Sequence, residues 1–285
     1  MRLALIGVGL IGGSLAAALK AAGEVDHVVG FDIDPPAMAK GVAAGVIDRA
    51  AESMAEAASS ADVLILAVPV GAMREAMAGI AKHLPPQALV TDVGSTKVSV
   101  IADARATLGA AFGRFVPAHP IAGGERPGVE HTDAGLFQGR LAITTPTPDT
   151  DPAALDAIER LWRSAGARLE RLAPDVHDRI FAAVSHLPHV LAFVLVEMIA
   201  RSPDADAKFA HAGAGFRDFT RIAASSPQMW RDVCLANRVA LASELNAYSE
   251  SLAKLQQAIV GADGAALERV FQAASDARRR SPSVR

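Results

Sequence analysis

The sequence predicts an α/β domain built on a parallel sheet, followed by an all-helical domain. Short β-branched runs alternate with Ala-rich helical stretches through the first half of the chain. A glycine-rich turn joins the first strand to the first helix, and strand signals stop near residue 172. Strands that are apolar on both faces, separated by helices, belong in a parallel sheet covered on both sides. The 285 residues are enough for two ordinary domains, here 1–172 and 173–285.

Taken in order, the expected strands are RLALIG (2–7), HVVGFD (27–32), DVLILAV (62–68), ALVTDV (88–93), RFVPA (114–118) and RLAITT (140–145). Helical periodicity runs over 14–22, 35–44 and 71–84 between them. A Pro- and Asp-rich loop at 146–152 precedes a helix over 153–166 and an edge strand, RLERL, at 168–172. Long Ala- and Leu-rich helices then cover 175–200 and 229–260, with no internal repeat.

Hydrophobic residues make up 51% and charged residues 21%, as in a globular protein with ample core material. A net charge of −3 gives no reason to expect nucleic acid or an anionic membrane as partner. The basic tail at 278–285 reads as a solvated end. The single cysteine, Cys234, excludes an internal disulfide and points to a reducing, cytoplasmic setting. The apolar run 190–200 is interrupted by Glu197 and too short to span a bilayer. The apolar N-terminus imitates a signal peptide, but its glycines are spaced for another purpose.

That purpose is a phosphate cradle. GVGLIG (7–12) sits at a strand-to-helix turn, and Asp32 ends the second strand twenty positions beyond Gly12. Gly7 permits the turn, Gly9 lets a pyrophosphate approach the backbone, and Gly12 lets helix and strand pack closely. Leu10 and Ile11 complete the loop, whose helix N-terminus offers N–H groups and a positive dipole end. The pattern makes the first domain a Rossmann-type dinucleotide-binding domain. Asp32 accepts hydrogen bonds from a ribose 2′-hydroxyl and repels a 2′-phosphate, so NAD is favoured over NADP.

Ligands of open parallel sheets sit beyond the carboxyl ends of the strands. The residues expected there are AVPV (67–70), TDVGSTK (91–97) and AHPIAG (118–123). Val68 and Pro69 offer apolar contact to a nicotinamide ring, Ser95 a hydroxyl, and Lys97 a charge expected to be solvated. His119 has an ordinary pKa near neutrality, which suits a general base or a hydrogen-bond partner to a substrate hydroxyl. It has no neighbours at metal-ligand spacing, so no metal is expected. His186 and His189 are three apart and share a helix face lining a polar cleft, with a kink expected at Pro188. Arg217 and Arg221, one turn apart, read equally as a salt-bridged solvated face or as a grip on a substrate carboxylate.

The ordered set GVGLIGGS, DVGSTK (92–97), HPIAGGE (119–125), SHLPH (185–189) and FTRIAASSPQMW (219–230) resembles the prephenate/arogenate dehydrogenase family of tyrosine biosynthesis. The resemblance spans residues 1 to about 275. It implies NAD(P)-dependent oxidative decarboxylation of a cyclohexadienyl dicarboxylate, with a helical second domain that forms a homodimer. On the matching positions, His119 takes the proton of the ring hydroxyl and Ser95 supports that hydroxyl and the nicotinamide. Arg221 binds a substrate carboxylate, His189 lies on the substrate side, Trp230 walls the pocket and Glu125 stands at its mouth. No chorismate mutase helices or regulatory domain are evident, so control by tyrosine through a separate domain is not expected.

Two other readings share the architecture. β-Hydroxyacid dehydrogenases use a catalytic lysine in a Gly-rich helix of the second domain, and neither Lys208 nor Lys254 has that context. A non-catalytic dinucleotide sensor would lack the acid/base and anion-gripping groups that His119, Ser95 and Arg221 provide. Prephenate and arogenate differ by a keto or an amino group, and Glu125 or Asp218 bears on that choice without deciding it.

Overall fold

The computed structural model describes residues 1–124, 126 and 128–281. The chain runs through β1 (Arg2–Ile6), α1 (Leu10–Ala21), β2 (His27–Phe31), α2 (Pro35–Ala43), β3 (Arg49–Ala50), α3 (Met54–Ala58), β4 (Val63–Leu66), α4 (Met73–Ala81), β5 (Leu89–Asp92), α5 (Val98–Thr107) and β6 (Phe115–Val116). These strands form one all-parallel sheet in the order β3-β2-β1-β4-β5-β6. The order reverses between β1 and β4, which opens a crevice at their carboxyl ends.

Strand alternation builds the core in two layers. Leu3 and Leu5 of β1 face Leu15, Leu19 and Trp162, whereas Ala4 and Ile6 face Met73, Met77 and Ile80 on the opposite side. Side chains such as Leu5, Leu19, Met77 and Ile80 are fully buried. Each contributes about 1.5–3 kcal/mol.

The chain continues through β7 (Ala118–Pro120), β8 (Leu141–Thr144), α6 (Pro152–Ser164) and β9 (Arg168–Arg171). These strands form a second sheet, β7-β8-β9, with β9 on an edge as expected. Here the structure corrects the expectation of one parallel sheet. β7 pairs antiparallel with β8, and the strand anticipated over 114–118 divides at Pro117 between the two sheets. Proline lacks the N–H needed to continue a ladder.

Beyond residue 172 the described residues are helical: α7 (Pro174–Phe181), a π-helical turn (Ala182–His186), α8 (Leu187–Ala200), α9 (Ala205–Ala210), α10 (Ala214–Thr220), α11 (Pro227–Ala236), α12 (Arg238–Val260) and α13 (Gly264–Arg280). The helix expected over 229–260 is interrupted at Asn237, the C-cap of α11. Pro188, the second residue of α8, cannot donate its missing N–H to the preceding turn, and the backbone widens there into the π turn.

By contact the chain forms two compact units, Met1–Arg238 and the remainder from Val239. The helical stretch Pro174–Ala200 is 27 residues long, with a mean hydropathy of 1.7 in its most apolar window. It is long and apolar enough to cross a membrane, so the length argument made for 190–200 does not hold for the helix as formed. Its polar residues nevertheless bind partners within the first unit, as described next.

Candidate active site

The glycine loop closes over the sheet at the strand-order reversal. Gly7 has φ +97°, and a Cβ there would lie 2.5 Å from the Ala67 carbonyl oxygen, so no other residue fits without strain. A Cβ on Gly12 would lie 2.6 Å from Ala67 Cβ and 2.7 Å from Gly7 O, which is the close helix–strand packing expected of it. Gly9, the N-cap of α1, is different: a Cβ there would meet nothing within 4 Å. That open space above uncapped amides fits a pyrophosphate. Leu10 and Ile11 begin α1 and are half-buried. Asp32 is fixed at the rim, its Oδ2 accepting from Val8 N at 2.8 Å and its Oδ1 from Asp34 N at 2.9 Å.

At the ends of β4 and β5, Val68 is half-buried, Pro69 exposed and Ser95 half-buried. Lys97 departs from expectation. It is fully buried, and its Nζ donates to Asp92 Oδ2 and to the Ala118 carbonyl oxygen at 2.6 Å. The lysine expected to be solvated is thus an internal tie between the end of β5 and the start of β7. Burial lowers its pKa, and the Asp92 carboxylate works against that shift. Removing one partner of such a buried pair costs about 3–5 kcal/mol.

His119, on β7, stands beside this pair. Its Nδ1 lies 2.8 Å from His177 Nε2, and His177 Nδ1 lies 2.8 Å from Asp178 Oδ1. Asp178 Oδ1 also accepts from Lys97 N at 2.8 Å, and its Oδ2 accepts from Val98 N at 3.0 Å. The carboxylate therefore docks α7 onto the loop that carries Ser95. The Phe181 ring packs against both imidazoles, 4.8 Å from His119 and 4.5 Å from His177 by centroid. Burial holds the His119 pKa well below its ordinary value, helped by the adjacent His177, the Lys97 charge and the nearby His186. Burial lowers His177 as well, against the pull of Asp178.

The second cluster lies along α8 and α11. His189 stacks on Trp230 with centroids 3.7 Å apart, and His186 meets the same indole edge-on at 6.0 Å. Asn237 Nδ2 donates to the Asp178 carbonyl oxygen at 2.8 Å, which orients the amide, and lies 3.1 Å from His186 Nδ1. His186 Nδ1 thus accepts, and Nε2 carries the hydrogen. That Nε2 and Trp230 Nε1 are buried without a hydrogen-bond partner among the described residues. Two N–H donors so placed call for an acceptor. Burial pushes the His186 pKa down to about 4 and lowers that of His189, which the nearby Arg221 charge depresses further.

The expected residues thus fall into a cofactor loop, a His119 cluster and a Trp230 cluster that includes Arg221. Glu125 lies outside the described residues. Arg217 donates to the Ala212 carbonyl oxygen at 2.6 Å. Sequence reasoning missed His177, Asp178 and Asn237. The adjacent His-Asp pair in DVHD (175–178) was the available signal, but nothing in it points to β7. Among the described residues no group of three or more His, Cys, Asp or Glu side chains could hold a metal ion.

Family models described as the nucleotide-binding domain and the dimerization domain of prephenate dehydrogenase match residues 15–171 and 173–273. The chain belongs to the prephenate dehydrogenase family. Within that family, the cyclohexadienyl dehydrogenase of Zymomonas mobilis is 35% identical over 282 residues, 97% of this chain and 94% of its own. The prephenate dehydrogenase of Bacillus subtilis is 35% identical over 280 residues, 96% of this chain and 74% of its own. The crystal structure of A. aeolicus prephenate dehydrogenase with hydroxyphenyl propionate and NAD+ matches at a TM-score of 0.91 and 36% identity, covering 99% of this chain and 98% of that one. A 3-hydroxyisobutyrate dehydrogenase from Salmonella typhimurium, at 17% identity and a TM-score of 0.57, shares the fold alone.

Proposed function

We propose that this chain catalyses the oxidative decarboxylation of prephenate to 4-hydroxyphenylpyruvate, of arogenate to tyrosine, or of both, in tyrosine biosynthesis. The observation that carries the reading is His119 on β7, a strand tied to the carboxyl end of β5 through Ala118 N and Asp92, with its Nδ1 2.8 Å from His177 Nε2. NAD, when bound, supplies the acceptor for the hydride that leaves the hydroxyl-bearing ring carbon. Gly7, Gly9, Leu10, Ile11 and Gly12 form the loop that receives its pyrophosphate, Asp32 takes the ribose hydroxyls, and Val68, Pro69 and Ser95 border the ring.

His119 accepts the proton of the substrate hydroxyl as the carbonyl forms, with Ser95 hydrogen-bonding the same oxygen. Arg221 binds one carboxylate of the dicarboxylate substrate, and His189, His186 and Trp230 line the rest of the pocket. The orphaned His186 and Trp230 N–H donors suit an oxygen acceptor on the substrate. Carbon dioxide leaves the quaternary carbon and the ring becomes aromatic, so the residues position and polarise more than they drive.

Functionally the chain divides into 1–172 for the cofactor and 173–285 for substrate and assembly. The second part forms a homodimer, and exposed apolar side chains such as Val194, Met198, Val239 and Val260 suit burial in such an interface. The enzyme works in the cytoplasm.

The deciding experiment is initial rates of NADH or NADPH formation with prephenate and with arogenate, for wild type and His119→Asn. NAD should support turnover well above NADP. The variant should lose about 10²–10⁴-fold in kcat with substrate affinity little changed. Turnover of neither substrate, or an unimpaired variant, would sink the assignment.

A further inference from the structure

We propose that His177, held by Asp178, is a positioning residue that fixes the tautomer of His119 so that its Nε2 carries the lone pair. The inference rests on the reading of His119 as proton acceptor and adds what prepares it for that role.

The argument starts at Asp178. Its carboxylate is pinned on both oxygens by backbone amides, Lys97 N at 2.8 Å and Val98 N at 3.0 Å, so it cannot rotate away. An ionised carboxylate only accepts, so the His177 Nδ1 at 2.8 Å must donate to it. A neutral His177 then has a lone pair on Nε2. That lone pair faces His119 Nδ1 at 2.8 Å, so Nδ1 must carry the hydrogen. The remaining nitrogen of a neutral His119, Nε2, is left as the base. An unaided imidazole populates both tautomers, and only one of them can take a proton at Nε2.

The surrounding charges keep this arrangement intact. His119 faces His177, Lys97 and His186, and His177 faces Asp178, Lys97 and Asp92. The Lys97 ammonium donates to Asp92 and the Ala118 carbonyl, and among the described residues it makes no hydrogen bond to either histidine. Both imidazoles are neutral in the resting enzyme because burial lowers their pKa values. In the reaction the substrate O–H bond breaks and the Nε2–H bond of His119 forms. His119 becomes an imidazolium, still donating through Nδ1 to His177, and its charge is compensated through His177 by Asp178. The O–H electron pair stays on oxygen, and the Nε2 lone pair forms the new N–H bond.

If His177 merely packed against Phe181, the tautomer of His119 would not depend on it. The test is side-chain ¹⁵N NMR of histidine-labelled full-length enzyme near neutral pH, with resonances assigned through His119→Asn and His177→Gln. Both His119 and His177 should show Nδ1 protonated and Nε2 bare. Kinetics with prephenate and arogenate then compare His177→Phe, which removes the acceptor, with His177→Gln, whose Oε1 can replace it. The phenylalanine variant should lose about 100-fold in kcat with KM changed less than about threefold. The glutamine variant should recover about tenfold of that loss.

An Nε2–H tautomer at His119 in wild type overturns the proposal, as does a His177→Phe enzyme with normal kcat or equal losses in the two variants. If wild type turns over neither substrate, the functional reading fails instead, and the wild-type NMR spectrum still decides the tautomer.

Discussion

Asp32 holds the glycine loop with one carboxylate oxygen and the Asp34 amide with the other, and keeps a lone pair on each for a further donor. Its two oxygens accept from Val8 N and Asp34 N, which fixes the carboxylate at the rim of the glycine loop. Each oxygen has a further lone pair for a ribose hydroxyl, whereas a 2′-phosphate would face unscreened repulsion. Asp32→Ser is therefore expected to raise the KM for NAD about tenfold, since one hydrogen-bonded charge is worth about that factor. The ratio of kcat/KM for NAD over NADP should fall, and a ratio that stayed put would remove Asp32 from cofactor choice. His119 makes a second residue-level prediction. A base must be unprotonated to act, and burial moves this one well below its ordinary value. The acid limb of kcat/KM should then lie below the ordinary histidine pKa of about 6.5. A limb at or above that value would mean that His119 is solvated in the working enzyme.

The helix over Pro174–Ala200 decides which residues meet, through its π turn at Ala182–His186. His177 and His186 are nine apart, which in a regular α-helix is about 900° of rotation and puts them on opposite faces. The π turn absorbs one residue, about 100°, and brings them to within about 80°. His186 then lies close enough to His119 and His177 to couple to their titration. Pro188→Ala, which returns the missing N–H without changing the number of residues, should restore a regular helix with normal circular dichroism. The same substitution should cost about 100-fold in turnover, because His186 and His189 then rotate by about 100° relative to His177. Helicity and activity that survive together would show that the turn is incidental. The same element explains what the sequence could and could not reveal. The glycine turn, Asp32 and the strand-end position of His119 are local patterns, readable because strand period and turn chemistry place them. Lys97 was misjudged because burial of a charge depends on a partner, Asp92, that no periodicity identifies. His177 and Asp178 stayed hidden because regular helical spacing points His177 away from the histidines that the sequence did single out. The antiparallel β7–β8 pairing was masked by Pro117, which divides what reads as one strand.

On the scale of the whole molecule, the dryness that prepares His119 carries a stability cost in acid. His119, His177, His186 and His189 all lie in the first compact unit, and burial lowers the pKa of each. In the unfolded chain these groups bind protons near pH 6.5, as ordinary histidines do, roughly. Between the folded and unfolded values, the unfolded state holds more protons, so stability rises with pH across that window and is fully present above it. For His186 the window runs from the ordinary value down to a folded pKa of about 4. Going from about pH 7.5 to about pH 5 should therefore remove about 2 kcal/mol through His186 alone. The other three histidines add to the loss in the same direction. Urea unfolding at the two pH values measures it directly as a shift in midpoint at constant slope. His186→Asn should flatten the dependence by its share, because asparagine has no proton to bind in either state. A midpoint that does not move with pH, or a variant with the wild-type slope, would mean that water reaches these rings in solution. The same water would solvate His119, so one titration of stability bears on both the fold and the chemistry it supports.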